Sequence, residues 1–524
     1  MKWKWSSPVR NTMPLLAGEG ATPLVLGAGF WSKKKMQRFT VTAAAWVSGL
    51  TLPFLLLPQL ALPAEVEGLP AVVSCASLAG KSFYNVAVTG AVNVPADGAV
   101  PTYCKVIGTE RGTQHDIEVR LPARWRERYV QRGGGGFDGT IPPIALSVPA
   151  LLAGAVQGAN NGGHRDRTGA DLLDDPRAVE RYAHGAILTA TRFGKAIAQL
   201  YYGSYPKHSY YEGCSNGGRG AFNAAAKYGN EFDGVIAGAP TRNLGGQIAQ
   251  WTSATSLTMP STAQFSGLHA AAVAKCDAQD GLKDGIISNW AACKLDPSDV
   301  SAQLGMTEVQ VASVRVLQQG LRRKDGAVVA SPFSNGDLGT SATTFPLLFG
   351  VGQMRYIVLN DPTWNPQKFD LEPALPRISS VVDDKYQFSA SRDDLVQYLK
   401  AGRKVIVWHG ADDGMLSPFD TIRGWSEVTN AAGAQVAAAN SRLYIAPGVN
   451  HCGGGDGADS IDMLGALIQW VESGKAPGTL LAVKRDAASG KVRFTRPLCQ
   501  FPAWPRYRGS GDPADAATFS CATQ

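Results

Sequence analysis

Short apolar runs recur along this chain, most of them closed by glycine or proline, and several lead into segments of helical spacing. Ile117–Leu121 alternates apolar and polar positions and stops at Pro122, which predicts a half-buried strand. Tyr129–Gln131 predicts a second strand, running into Gly133-Gly134-Gly135-Gly136. Between Val179 and Tyr201 the apolar side chains fall at helical intervals, and Ser209–Tyr211 then predicts a strand ending at Gly213. A helix is expected over Gly217–Tyr228, where Ala221, Ala224, Ala225 and Ala226 favour that conformation. Val235–Ala237, Lys404–Trp408 and Leu443–Ile445 predict further strands, and Ile461–Ser473 a C-terminal helix. Strands alternating with helices imply an α/β fold around a parallel sheet. From Arg242 to Ala390 the rhythm breaks into a stretch rich in Gly, Pro and Trp, as expected of an inserted lid. The expected organisation is therefore a leader (1–64), one part of the α/β body (65–241), a lid (242–390) and the rest of the body (391–524). No internal repeat or low-complexity tract is present.

Composition changes this picture mainly at the N-terminus. The 524 residues are 44% hydrophobic and 18% charged, as in an ordinary globular protein, and 59 glycines imply many loops. Lys33-Lys34-Lys35-Met36-Gln37-Arg38 is a positive segment ahead of an apolar stretch from Phe39 to Leu62, and Ala61-Leu62-Pro63-Ala64 offers a small-residue cleavage point. That reads as a secretory signal, with translation expected to start at Met36 or an uncleaved leader before it; a membrane anchor is the competing reading. Residues 1–64 hold seven basic side chains and one acid, so nearly all of the chain's +7 charge lies there. The remainder is close to neutral, which gives no footing for nucleic acid. A secreted or periplasmic protein without stable membrane insertion after processing is expected.

All eight cysteines follow the cleavage point, and export would oxidise them. Formally the connectivity is open. Pairing nearest neighbours gives Cys75–Cys104, Cys276–Cys293 and Cys499–Cys521, and leaves Cys214 with Cys452. The last pair has a second argument. Cys214 precedes Ser215 and Cys452 follows His451. If Ser215 is a nucleophile and His451 its base, the side chains must approach to roughly 3 Å, which brings the cysteines within bridging range.

Gly213-Cys214-Ser215-Asn216-Gly217 sits between an expected strand and an expected helix. The sharp turn that exposes a nucleophilic serine needs small residues on both sides, which the two glycines supply. His409-Gly410-Ala411-Asp412-Asp413-Gly414 follows a late strand, where an orienting carboxylate belongs, and Asp412 and Asp413 compete for that role. His409 lies too near the acid in sequence to serve as base and is expected to support the loop. His451 follows the next strand. The order Ser, Asp, His is that of α/β-hydrolases, so the expected fold is an α/β-hydrolase with an inserted lid. Gly133–Gly136 is expected to furnish an oxyanion donor beside the Asn216 amide, and Gly135 is assigned that role.

Cys276-Asp277-Ala278-Gln279-Asp280-Gly281-Leu282-Lys283-Asp284-Gly285-Ile286 gathers three carboxylates in a loop that would repel itself without a cation. Hard oxygen donors suit Ca²⁺, with Asp277, Asp280 and Asp284 as carboxylate ligands and the Leu282 and Ile286 carbonyls completing the set. The spacing is not that of an EF-hand. A Cys276–Cys293 bridge would stabilise the loop by roughly 3 kcal/mol. Trp364, with Tyr356 and Phe369, is a possible aromatic acyl pocket, although core packing is the commoner role. His164 is expected to be structural.

These motifs together resemble the tannase/feruloyl esterase family. The resemblance runs from about Cys75 to Cys521. It rests on Gly-Gly-Gly-Gly-Phe at 133–137, Tyr210-x-x-Gly-Cys-Ser-x-Gly-Gly-Arg219, Phe232-Asp233-Gly234, Gly238-Ala239-Pro240, the 276–285 loop, Asp361-Pro362-x-Trp364 and His451-Cys452. The family pattern His-Gly-x-x-Asp-x-x-x-x-Pro falls on His409, Gly410, Asp413 and Pro418, so the resemblance implies Asp413 as the triad acid. It also implies the 214–452 bridge, Ca²⁺ in the lid loop, and small aromatic carboxylic esters (galloyl, feruloyl, caffeoyl or terephthaloyl) as substrates. No match to the selectivity residues of the mono(hydroxyethyl) terephthalate hydrolase is apparent, so galloyl or feruloyl esters are expected first. The competing readings are a general carboxylesterase or acyltransferase, and a Ca²⁺-stabilised binding protein with a vestigial site.

Overall fold

The computed structural model describes residues 67–335 and 346–523; the expected leader and processing point lie outside the described residues. Ten strands form the main sheet: β1 (Ser82–Phe83), β2 (Val86–Val94), β3 (Tyr103–Glu110), β4 (Asp116–Pro122), β5 (Arg128–Arg132), β6 (Ala155–Asn160), β7 (His208–Cys214), β8 (Gly234–Gly238), β9 (Lys404–Gly410) and β10 (Ser441–Ala446). Their spatial order is β1-β2-β3-β4-β6-β5-β7-β8-β9-β10. From β6 to β10 every neighbouring pair is parallel. The expectation of a purely parallel sheet is corrected at one edge. There β1 to β4 pair antiparallel, and β4 meets β6 antiparallel.

Successive strand residues face opposite sides of a sheet, so a strand buried on both faces feeds two cores. Val235 and Ala237 of β8 and Val405 and Val407 of β9 pack with Ala221, Phe222 and Ala225 of the helix after β7. Ile236 and Ile406, between them in sequence, pack on the other side with Leu464, Leu467 and Ile468 of the C-terminal helix. This is why these strands read as continuous apolar runs. The helices concerned are α1 (Ala186–Tyr202), α2 (Asn216–Lys227), α3 (Leu244–Ala254) and α4 (Met463–Ser473).

Two expected helices differ in detail. The segment 176–202 is interrupted by a π-helical turn at Arg181–Gly185. The C-terminal helix starts at Met463 rather than Ile461, because the Asp462 carboxylate accepts from the Gly465 amide at 2.8 Å and caps it. Ser460–Ile461 belongs instead to a small sheet with Leu480–Arg485 and Val492–Leu498.

Between β8 and β9 the chain leaves the sheet and returns. Leu244 and Ile248 of α3 pack there with Met354, Ile357, Val382 and Phe388, and against Phe137 and Tyr182 of the body. All four expected disulfides are present: Cys75–Cys104, Cys214–Cys452, Cys276–Cys293 and Cys499–Cys521. Among the described residues no helix is long and apolar enough to cross a membrane.

Candidate active site

Ser215 occupies the one-residue corner between β7 and α2, at φ 63° and ψ −124°. A non-glycine residue pays roughly 1–3 kcal/mol for such a conformation, which persists only where the surroundings enforce it. They do so here by crowding. A Cβ on Gly213 would strike the Gly217 backbone, and one on Gly133 would come within 2.8 Å of the Gly217 Cα. The Ser215 amide donates to the Gly238 carbonyl at 3.0 Å, and its carbonyl accepts from the Arg219 amide at 3.0 Å. Ser215 therefore caps α2, whose N-terminal partial positive charge favours negative charge on a ligand.

His451 lies in the loop after β10, and its Nδ1 is 2.6 Å from Asp413 Oδ2. That leaves Nε2 for a serine hydroxyl. The Cys214–Cys452 bridge joins the residue before Ser215 to the residue after His451 across 238 positions, with the Cα atoms 5.9 Å apart. Of the two competing acids, Asp413 meets the imidazole. Its Oδ1 accepts from the Met415 and Leu416 amides at 2.8 and 2.9 Å. His409 Nε2 lies 3.0 Å from Asp413 Oδ2, and its Nδ1 is 2.8 Å from the Thr421 hydroxyl. Burial alone would raise the Asp413 pKa, but the two imidazoles and their hydrogen bonds hold it well below the usual carboxylate range. His409, expected only to support the loop, thus contacts the acid itself.

Behind the serine runs a polar chain. Asn216 Nδ2 donates to Asp138 Oδ1 at 2.9 Å, and Arg219 Nε donates to Asn216 Oδ1 at 2.7 Å. The buried Arg219 guanidinium also donates to the Tyr182 and Phe388 carbonyls at 3.0 and 3.1 Å. Tyr182 in turn donates from its hydroxyl to the Gly136 carbonyl at 2.9 Å. Loop 133–138 and the residue after the nucleophile are tied into one unit. Burial pushes Asp138 up to about 7, against the Asn216 hydrogen bond and the Arg219 charge.

A narrow cleft opens at Ser215, lined by Asn216, Gly136, Tyr182, Thr241, Leu244, Trp251, Phe349, Gln353, Met415 and Leu416. Gly136 reaches it, while Gly135 is exposed one residue earlier in the same loop. Phe349 stacks on Phe137 at 5.6 Å between centroids and lies 6.0 Å from Trp251. Trp364 packs on Phe369 at 6.4 Å within the lid core and does not line this cleft. Sequence reading thus missed Trp251, Phe349 and Gln353, which lie in a segment whose periodicity gave no elements. His164 is buried, with Nδ1 2.8 Å from Asp171, consistent with a supporting role.

The family model described as tannase and feruloyl esterase matches residues 104–335 and 353–522. The chain belongs to the tannase and feruloyl esterase family, whose members are carboxylic ester hydrolases. A probable feruloyl esterase B-2 of Neosartorya fischeri is 30% identical over 457 residues, covering 80% of this chain and 86% of that protein. A probable feruloyl esterase of Arthroderma benhamiae is 31% identical over 445 residues, covering 78% and 82%. The crystal structure of an esterase from Aspergillus oryzae superposes with a TM-score of 0.77 at 25% identity, covering 86% of this chain and 99% of that one. The α/β-hydrolase class expected from the Ser, Asp, His order agrees with these neighbours.

In the acidic loop the Asp284 and Gly285 amides donate to Asp277 at 3.3 and 3.1 Å, the Leu282 amide to Asp280 at 3.0 Å, and Arg496 to Asp284 at 2.5 Å. Burial, with the charges of Asp284 and Asp277 adding to it, pushes Asp280 up to about 6 despite hydrogen bonds from Ser288 and Leu282. Among the described residues no three metal-binding side chains converge in a ready-made cage. Asp277 and Asp280 are buried, whereas Asp284 is half-buried and already paired with the Arg496 guanidinium.

Proposed function

We propose that this protein is an exported serine esterase that hydrolyses esters of hydroxylated aromatic acids, of galloyl or feruloyl type. The observation that carries the reading is the aromatic, uncharged cleft opening at Ser215, beside a His451–Asp413 pair. The Ser215 hydroxyl attacks the ester carbonyl while His451 Nε2 takes its proton; Asp413 holds the imidazole and stabilises its charged form. The oxyanion is met by the Asn216 amide and by an amide of the glycine loop, where Gly136 lines the cleft in place of the expected, exposed Gly135. His451 then protonates the leaving alcohol, and water releases the acid by the same steps reversed. Phe349 and Trp251 supply flat apolar walls for an aromatic ring. Among the described residues the cleft lining contains no charged side chain, which favours a neutral acyl group over a terephthalate monoester bearing a second carboxylate. The relatives named as feruloyl esterases support the same substrate class.

Asp277, Asp280 and Asp284, with the Leu282 and Ile286 carbonyls, would hold Ca²⁺. Such an ion would supply charge neutralisation and a cross-link within the 276–286 loop, with no part in the chemistry. Four disulfides support an oxidising destination, outside the cell or in a periplasm. A fluorophosphonate probe tests the nucleophile: labelling is expected on Ser215 and absent in Ser215→Ala, whereas equal labelling of the variant would overturn the assignment.

A further inference from the structure

Gln353 lines the same cleft as Ser215 and is 4% exposed. Its carboxamide oxygen is buried with no hydrogen-bond partner among the described residues. Buried acceptors are nearly always paired, because leaving one unpaired forfeits its hydration for nothing. An unpaired acceptor on a residue that lines a ligand cleft is open to a donor that arrives with the ligand.

The backbone around Gln353 is consistent with a built position. Pro346–Val351 and Met354–Leu359 are both π-helical, and Gln353 lies between them. Such wide turns are uncommon, cost regular hydrogen bonding and are frequent at functional sites. The first carries Phe349, which forms an aromatic wall of the cleft with Trp251. An aromatic ring against that wall has Gln353 as a polar neighbour. Thr241 and Tyr182 also line the cleft, but the Tyr182 hydroxyl is engaged by Gly136.

We infer that Gln353 is a specificity-determining residue: its carboxamide oxygen accepts a hydrogen bond from a phenolic hydroxyl on the acyl group. This rests on the aromatic-ester reading above and sharpens it, since unsubstituted aromatic acids have no hydroxyl to donate. No charge is needed on the protein side, in keeping with the uncharged lining.

The test compares kcat/KM for matched methyl esters: 4-hydroxycinnamate against cinnamate and 4-methoxycinnamate, and 4-hydroxybenzoate against benzoate. The wild type is expected to prefer the hydroxylated member of at least one scaffold by about tenfold, the effect of one satisfied hydrogen bond. In Gln353→Leu and Gln353→Met that ratio is expected to fall to near one. Because the readout is a ratio within each protein, reduced folding of a variant does not mimic the effect. A wild type indifferent to the hydroxyl, or variants that keep the wild-type ratio, would overturn the inference while leaving the aromatic-ester reading intact. A wild type that cleaves p-nitrophenyl butyrate but no aromatic ester would overturn that reading, and the inference with it.

Discussion

Two carboxylates near the nucleophile are driven in opposite directions by their surroundings. Asp413 is kept ionised by His451, His409 and two backbone amides, so its contribution to stability is full above the usual carboxylate range and is lost only in strong acid. Asp138 is pushed up to about 7 by burial, so the folded protein holds its proton more tightly than the unfolded chain. Stability from this group is full below pH ~4 and declines as pH rises toward 7. Asp138→Asn is therefore expected to flatten the fall in Tm between pH 5 and 7.5 relative to wild type; an unchanged difference between the two melts would refute the assignment. Ser215 and His451 were legible because turn chemistry is local: small flanking glycines and a following helix leave a signature in a few residues. The choice between Asp412 and Asp413 was not legible from spacing, since it depends on which carboxylate the chain turns toward an imidazole 38 positions away. Trp251, Phe349 and Gln353 were hidden for a similar reason, because only the packing of the insertion brings them to Ser215.

At the scale of elements, the Cys214–Cys452 bridge fastens the strand-to-helix corner to the histidine loop. Closing a loop of 238 residues stabilises by about 5 kcal/mol in the chain-entropy model, and the geometric role comes in addition. Under graded reductant, kcat is expected to fall before far-UV circular dichroism changes, because Ser–His geometry loosens first. Unchanged activity with both thiols shown free would remove that role. The lid loop makes a separate prediction. Chelation is expected to lower Tm, with recovery on adding Ca²⁺ but not Mg²⁺, which prefers small octahedral sites; a Tm indifferent to chelator would leave the acidic loop without its ion. The parallel strands β5, β7, β8, β9 and β10 were read because their apolar runs mark them, whereas parallel β6 escaped, since Gln157, Gly158 and Asn160 break the apolar run of a fully buried strand. Strands β2 and β3 escaped, since their partly exposed residues and the register shift near Gly90 blur the alternation.

Across the whole molecule, the sheet presents Ser215 and the Asp413 and His451 loops from β7, β9 and β10, and the insertion between β8 and β9 supplies the cleft walls. This division explains why the reaction class was readable from motifs while the acyl pocket was not. The body is built from local turns and strands; the pocket comes from packing between the insertion and the body. The most direct measurement is hydrolysis of methyl ferulate, methyl gallate and p-nitrophenyl butyrate by the purified wild type and Ser215→Ala. The account predicts that the wild type prefers one of the two hydroxylated aromatic esters and that the variant loses on the order of 10⁴-fold or more in kcat. Normal turnover by Ser215→Ala, or a wild type active on the butyrate alone, would contradict it.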